Sequence, residues 1–222
     1  MKLPDLFRYT VLALAIGSVA ICRAGVIYDV SLNTTPLIGE AAGPFSLGFQ
    51  LNDGSGAGDA NNTAILSNFQ FGIGGSASGS PSVFGGATGD LSSGITLIDS
   101  SFLNALAQSF NPGNSLSFRI QVSTNLDAGG TPDEFSFSIL DSSGAQIPTN
   151  GFVDAFLLLD IDSSNPTLQT FSSDPSRPPQ GGGGGITLDA PQATLASPEP
   201  GTFILLASGI SFCLFFRRLK LL

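Results

Sequence analysis

Leu116-Ser117-Phe118-Arg119-Ile120-Gln121-Val122, followed by Phe135-Ser136-Phe137-Ser138-Ile139, decides how this chain folds. In both stretches apolar and polar residues alternate with period two. That pattern puts one set of side chains on a covered face and the other in water, as in a half-buried antiparallel strand. Asn125-Leu-Asp-Ala-Gly-Gly-Thr-Pro-Asp133 is a polar loop joining the two. Upstream, Phe45, Leu47, Phe49 and Leu51 interleave with Ser46, Gly48 and Gln50, and Phe69, Phe71 and Ile73 interleave with Gln70 and Gly72. Further strands are expected over 26–32, 95–99, 146–148, 155–161 and 167–171, and the run 156–159, apolar on both faces, suggests a central strand. Phe102, Leu106 and Phe110 recur every four residues, so 102–110 fits a short helix as well as a bulged strand.

Many short strands separated by Gly, Asn, Asp, Ser and Pro turns predict an all-β domain, an antiparallel β-sandwich of jelly-roll-like kind over residues 25–171. Its expected core contains Phe45, Leu47, Phe49, Phe69, Phe71, Phe118, Phe135 and Phe137. The thirteen phenylalanines between 45 and 171 are enough to fill the space between two sheets. Residues 172–185, with their prolines and five consecutive glycines, read as a flexible break, and 172–197 as a linker or stalk. Two short stretches after it, 186–189 and 193–195, fit a returning last strand or an extended tether.

With 222 residues, 28 Gly and 14 Pro, the chain has room for one domain with appendages. The net charge of −9 argues against nucleic acid as a partner, because phosphate backbones are held through Lys and Arg. Residues 25–200 contain no His, Cys, Lys, Met or Trp, and carry two arginines against sixteen acids. Ser–His, Cys–His and Lys nucleophile arrangements therefore cannot be built there, nor can a His or Cys zinc site. Carboxylates are the only plentiful catalytic groups, and they leave a glycoside hydrolase as the one enzymatic reading to weigh. Asp53-Gly-Ser-Gly-Ala-Gly-Asp59 has the oxygen-rich look of a calcium loop without the EF-hand spacing. Asp53 and Asp59 are thus weak calcium candidates, and no other cofactor is expected.

The ends read as addresses. Lys2 and Arg8 precede the apolar run 9–21, the plan of a secretory signal peptide over 1–24. At the other end Pro198-Glu199-Pro200-Gly201 leads into the apolar segment 202–216, and Arg217, Arg218 and Lys220 follow. A span of that length is short for a bilayer, and the basic residues after it belong on the cytoplasmic side, which leaves the body outside.

This tripartite tail over 198–222 resembles the PEP-CTERM sorting signal: a Pro-Glu-Pro motif, a transmembrane helix (202–216) and a basic tail (217–222). The body pattern is similar to an uncharacterised family of small β-rich PEP-CTERM proteins, which brings no activity with it. The resemblance implies export, recognition of Pro198, Glu199, Pro200 and Gly201 by an exosortase, and an inner-membrane-anchored intermediate stopped by Arg217, Arg218 and Lys220. Delivery to the cell surface or the extracellular space of a polysaccharide-making bacterium would follow. The expected role is that of a non-catalytic surface or matrix protein, with a carbohydrate-binding module for exopolysaccharide as the alternative.

Overall fold

The computed structural model describes residues 25–54, 58–126, 130–162 and 166–196. The expected signal peptide, sorting motif, transmembrane helix and basic tail all lie outside the described residues. Where the chain is described it is all-β, with one short 3-10 turn at Thr35–Leu37. Thirteen strands follow in chain order: β1 Gly25–Leu32, β2 Phe45–Asn52, β3 Thr63–Gln70, β4 Ser76–Ala77, β5 Ser82–Phe84, β6 Gly86–Asp90, β7 Gly94–Ile98, β8 Leu103–Asn111, β9 Leu116–Ser123, β10 Asp133–Leu140, β11 Leu157–Ile161, β12 Leu168–Thr170 and β13 Gln192–Leu195.

The strands form two antiparallel sheets. A six-stranded sheet runs β13-β1-β9-β3-β7-β6; a seven-stranded sheet runs β12-β11-β10-β2-β8-β4, with β5 also paired to β8. The two alternating stretches that decide the fold, β9 and β10, sit in opposite sheets, and the polar loop between them carries the chain across. Their apolar faces therefore meet. Phe118 of β9 lies 5.6 Å edge-on to Phe49 of β2 and 5.1 Å edge-on to Phe137 of β10, while Phe49 and Phe137 stack at 5.3 Å within one sheet. Edge-on contacts of this kind align ring quadrupoles, each adding about 0.5–1.5 kcal/mol beyond the burial of area. Phe45, Leu47, Phe49, Phe118, Phe135 and Phe137 are buried as the alternation requires, and Phe69 and Phe71 pack half-buried against them.

Phe69 and Phe71 reach the core through a bulge. Ala64 and Leu66 are buried, so the core-facing positions of β3 begin on even numbers. Between Ser67 and Gln70 the register against β9 slips by one residue, and Asn68 takes the left-handed conformation at φ 58°. The extra residue moves the inward face to odd numbers, and Phe69 and Phe71 follow it.

The structure settles several expectations differently. The ambiguous stretch is strand, β8 over Leu103–Asn111; Leu106 and Phe110 recur four apart on its core face because the polar Asn104 and Gln108 interrupt the apolar pattern there, and Phe102 lies exposed just before the strand. Both amides are satisfied by main chain. Asn104 accepts from Gly86 N–H at 2.8 Å and donates to the Leu51 carbonyl at 3.0 Å; Gln108 accepts from Leu91 N–H at 2.8 Å and donates to the Gly79 carbonyl at 2.9 Å. Residues 146–148 make only an isolated bridge at Gln146, and β11 lies second from a sheet edge rather than centrally. Phe84, Phe102 and Phe152 are exposed, so not all thirteen phenylalanines serve the core.

The largest correction concerns the linker or stalk expected over 172–197, which packs on the body as far as Ala196; of the two readings of 193–195, the returning strand holds. Ile186 and Leu188 are buried, Leu188 N–H donates to the Ser173 hydroxyl at 2.6 Å, and β13 pairs with β1 from Gln192 opposite Ser31 to Leu195 opposite Tyr28. The glycine run is partly a packing device. A Cβ on Gly185 would stand 1.8 Å from the Pro175 carbonyl oxygen, so the two chain segments approach as only glycine permits. The folded body therefore runs on to Ala196, whose N–H donates to the Ile27 carbonyl at 2.8 Å.

Candidate functional site

At one pole of the molecule the core is closed by polar residues. Following the inward parity of six strands one step past their last apolar residue gives Asp53 after Leu51, Asn62 before Ala64, Asp99 after Leu97, Asn104 before Leu106, Thr124 after Val122 and Asp133 before Phe135. All six are at most 3% exposed. Both sheets contribute, and Asn62 ties them together. Its amide donates to Asp133 at 2.8 Å and to the Asn125 carbonyl at 2.9 Å, while its Oδ1 accepts from Asn125 N–H and the Ser123 hydroxyl, each at 3.0 Å. Gly54 N–H donates to Asp133 at 2.9 Å, and a Cβ at Gly54 would meet the Pro132 carbonyl oxygen at 2.0 Å, so the chain here passes too closely for any other residue.

The two calcium candidates from the sequence, Asp53 and Asp59, lie here, but their oxygens serve the loop. Asp53 Oδ2 accepts from the main-chain N–H groups of Gly58 and Asp59, and Asp59 accepts from the main-chain and side-chain nitrogens of Asn61 at 3.1 and 3.0 Å. Asn61 and Asn62 follow the Asp53–Asp59 stretch in the sequence, but Asp99 and Asp133 are site residues that the sequence reading missed. Each continues an inward-facing alternation, and that parity was the available signal. Asp99 is fully buried. Burial first, with the neighbouring Asp133 and Asp59 adding to it, pushes its carboxyl up to about 7 against the pull of the Asn62 N–H, which donates at 2.8 Å. Among the described residues no group of three or more acidic, His or Cys side chains closes on one point as a metal centre would, but Asp99 and Asp133 come within hydrogen-bonding reach of each other.

The outer face of the seven-stranded sheet offers a different surface. Cross-strand partners set one row across it: Phe84, Ala105, Gln50, Ser136, Leu158 and Gln169. A shallow depression of about 130 Å³ lies between Phe84, Gln50, Gly48 and Ser138. One row nearer the polar pole, Glu134 faces Asp160; burial and then the Asp160 charge raise the Glu134 carboxyl above its usual range. A larger cleft, 470 Å³, opens between β12 and β13, but among the described residues no charged side chain lines it, and the Tyr28 hydroxyl there donates to the Pro166 carbonyl.

Gly25 pairs with Ser123 and Ala196 bonds to Ile27, so both ends of the folded body lie at the pole that carries the polar layer. Among the described residues no helix is long and apolar enough to cross a membrane. No family model matches this chain, and neither any curated protein nor any solved structure matches it.

Proposed function

We propose that this chain is an exported, non-catalytic cell-surface or matrix protein, directed out by residues 1–24 and sorted through Pro198-Glu199-Pro200-Gly201, with a jelly-roll-like body over 25–196 as its interacting part. The observation that carries the reading is the position of Gly25 and Ala196 at one pole. A leader before 25 and an anchor after 197 then sit on the same side, which leaves the opposite pole and both outer sheet faces free to meet partners. The partners of the tail are the secretion machinery and an exosortase. In this reading 202–216 holds the chain in the inner membrane, and Arg217, Arg218 and Lys220 keep it from being drawn through. Prolines on both sides of Glu199 keep the motif extended and out of any helix, the form in which a membrane enzyme can grip it.

Glu199→Ala tests the route. It is expected to leave the full-length protein in the inner membrane, while the wild-type surface fraction lacks 201–222 by mass spectrometry. Intact 201–222 at the surface, with no effect of Glu199→Ala, would make the tail a plain anchor.

The outer face of the seven-stranded sheet favours exopolysaccharide binding as a second reading. A shallow floor of Gly48, Ala105, Ala107 and Ser138 beside the exposed ring of Phe84 and the amide of Gln50 suits a sugar, which needs ring stacking and hydrogen bonding together. Specific glycan binding by the exported protein, lost on Phe84→Ala or Gln50→Ala, would promote it. Glycan hydrolysis lost on Glu134→Gln would overturn the non-catalytic reading.

A further inference from the structure

The polar layer buries more negative charge than the body's cations answer. The two arginines are engaged elsewhere, Arg119 with Asp29 at 2.8 Å and Arg177 with Asp154 at 2.7 Å and Asp174 at 3.0 Å. Asp133 is well supplied, Oδ1 by Gly54 N–H and Oδ2 by the Asn62 amide. Asp99 differs. Its Oδ2 accepts from Asn62 N–H, but its Oδ1 is buried with no hydrogen-bond partner, on a side chain that reaches toward Asp133. A partnerless carboxylate oxygen beside a second carboxylate, both out of water, is a costly arrangement, and an ion shared between them removes the cost. Among the described residues the atoms there able to ligate a metal are oxygens, the nearby amide nitrogens being hydrogen-bond donors, which selects a hard cation over the softer metals that take nitrogen or sulfur.

We propose that a calcium ion binds between the carboxylates of Asp99 and Asp133, with Asp59 adding charge from the loop and water or main-chain oxygens completing the shell. The ligands thus differ from those the Asp53–Asp59 stretch suggests by itself, because Asp53 holds that loop closed. The ion joins β7 of one sheet to β10 of the other, so its effect is to lock the two sheets at the pole where the chain ends meet. The proposal stands independently of the sorting route.

Calcium titrated by calorimetry into chelator-treated full-length protein in detergent is expected to show one site per chain, with a dissociation constant of about 0.1–1 mM, the range of extracellular calcium modules. It should also raise the thermal midpoint. Asp99→Asn and Asp133→Asn should each weaken binding at least tenfold, while Asp174→Asn, whose carboxylate is engaged by Ser176 and Arg177, leaves it unchanged. If either variant fails to fold, the wild-type titration and Glu134→Gln decide. No calcium uptake by the wild type up to about 10 mM means that a proton, not an ion, sits between the carboxylates, and overturns the proposal. Binding abolished by Glu134→Gln overturns it as well, because it places the ion on the outer sheet face.

Discussion

Asp141 shows how one carboxylate organises a turn. Its Oδ1 accepts from the Ser143 N–H at 2.9 Å, the Ser143 hydroxyl at 2.6 Å and the Ala145 N–H at 3.1 Å, and its Oδ2 accepts from Gly181 N–H at 2.7 Å. Burial alone would raise this acid, but the hydrogen bonds from Ser143, Gly181 and Ala145 outweigh it and hold the carboxyl below its usual range. The folded state therefore favours the charged form more than the unfolded chain does. The resulting stability is present above the ordinary carboxylate range and drains away as pH falls through it. Asp141→Asn should lower the thermal midpoint near neutral pH, and its deficit against wild type should shrink as the pH is taken below about 4. A deficit constant across that titration would show that the loss comes from packing and not from charge. Gly181 lies forty residues away in the glycine run, so the same experiment reports whether that run is held to the body.

At the scale of elements, the bulge in β3 is the clearest case of a single residue setting the direction of a strand. Asn68 sits at φ 58°, a region that glycine enters freely and β-branched residues avoid. Asn68→Gly is expected to keep full stability to within about 0.5 kcal/mol, whereas Asn68→Val should cost about 1–2 kcal/mol in urea unfolding. Deleting Asn68 should keep Phe69 and Phe71 in the core, because Phe69 then follows Ser67 directly and faces Phe118 in an unbroken ladder. Equal stabilities for all four chains would remove the bulge from the account. The bulge also explains what could be read from the sequence. The alternation of Phe69 and Phe71 was visible, and so were β1, β2, β7, β9, β10, β11 and β12: strict period two over apolar residues carries β2, β9 and β10, and the run 156–159, apolar on both faces, carries β11. The first half of β3 was missed because its inward face carries Ala64 and Leu66 on the opposite parity. β4, β5 and β6 were missed because Gly and Ser hold their places through hydrogen bonds to neighbours, with little hydrophobic pattern to see. β8 was ambiguous for a related reason: Asn104 and Gln108 occupy core positions that only tertiary main-chain partners make tolerable. The same limit hid Asp99 and Asp133. Their parity was legible, but a carboxylate on an inward face has meaning only once the facing sheet is in place.

For the molecule as a whole, the boundary of the folded unit has moved from 171 to 196, and this can be tested by truncation. A chain ending at 196 should match the thermal midpoint of the full-length protein. One ending at 191 should fall below it and aggregate, because removing β13 bares the edge of β1, and an unpaired edge recruits other chains. Identical midpoints for the two truncations would restore the tether reading of 192–196. The direction of β13 has a mechanical meaning as well. It runs toward the pole where the chain leaves the body, antiparallel to β1, and its four paired residues lie along the line from the core to whatever follows Ala196. A pull transmitted through residues 197–222 against a body held at its far pole therefore acts along the strand. The bonds joining β13 to β1 are strained all at once in shear, and none can open ahead of the others as in a zipper drawn from its end. This edge strand, short as it is, serves as the rivet through which any tension on residues 197–222 passes into the core.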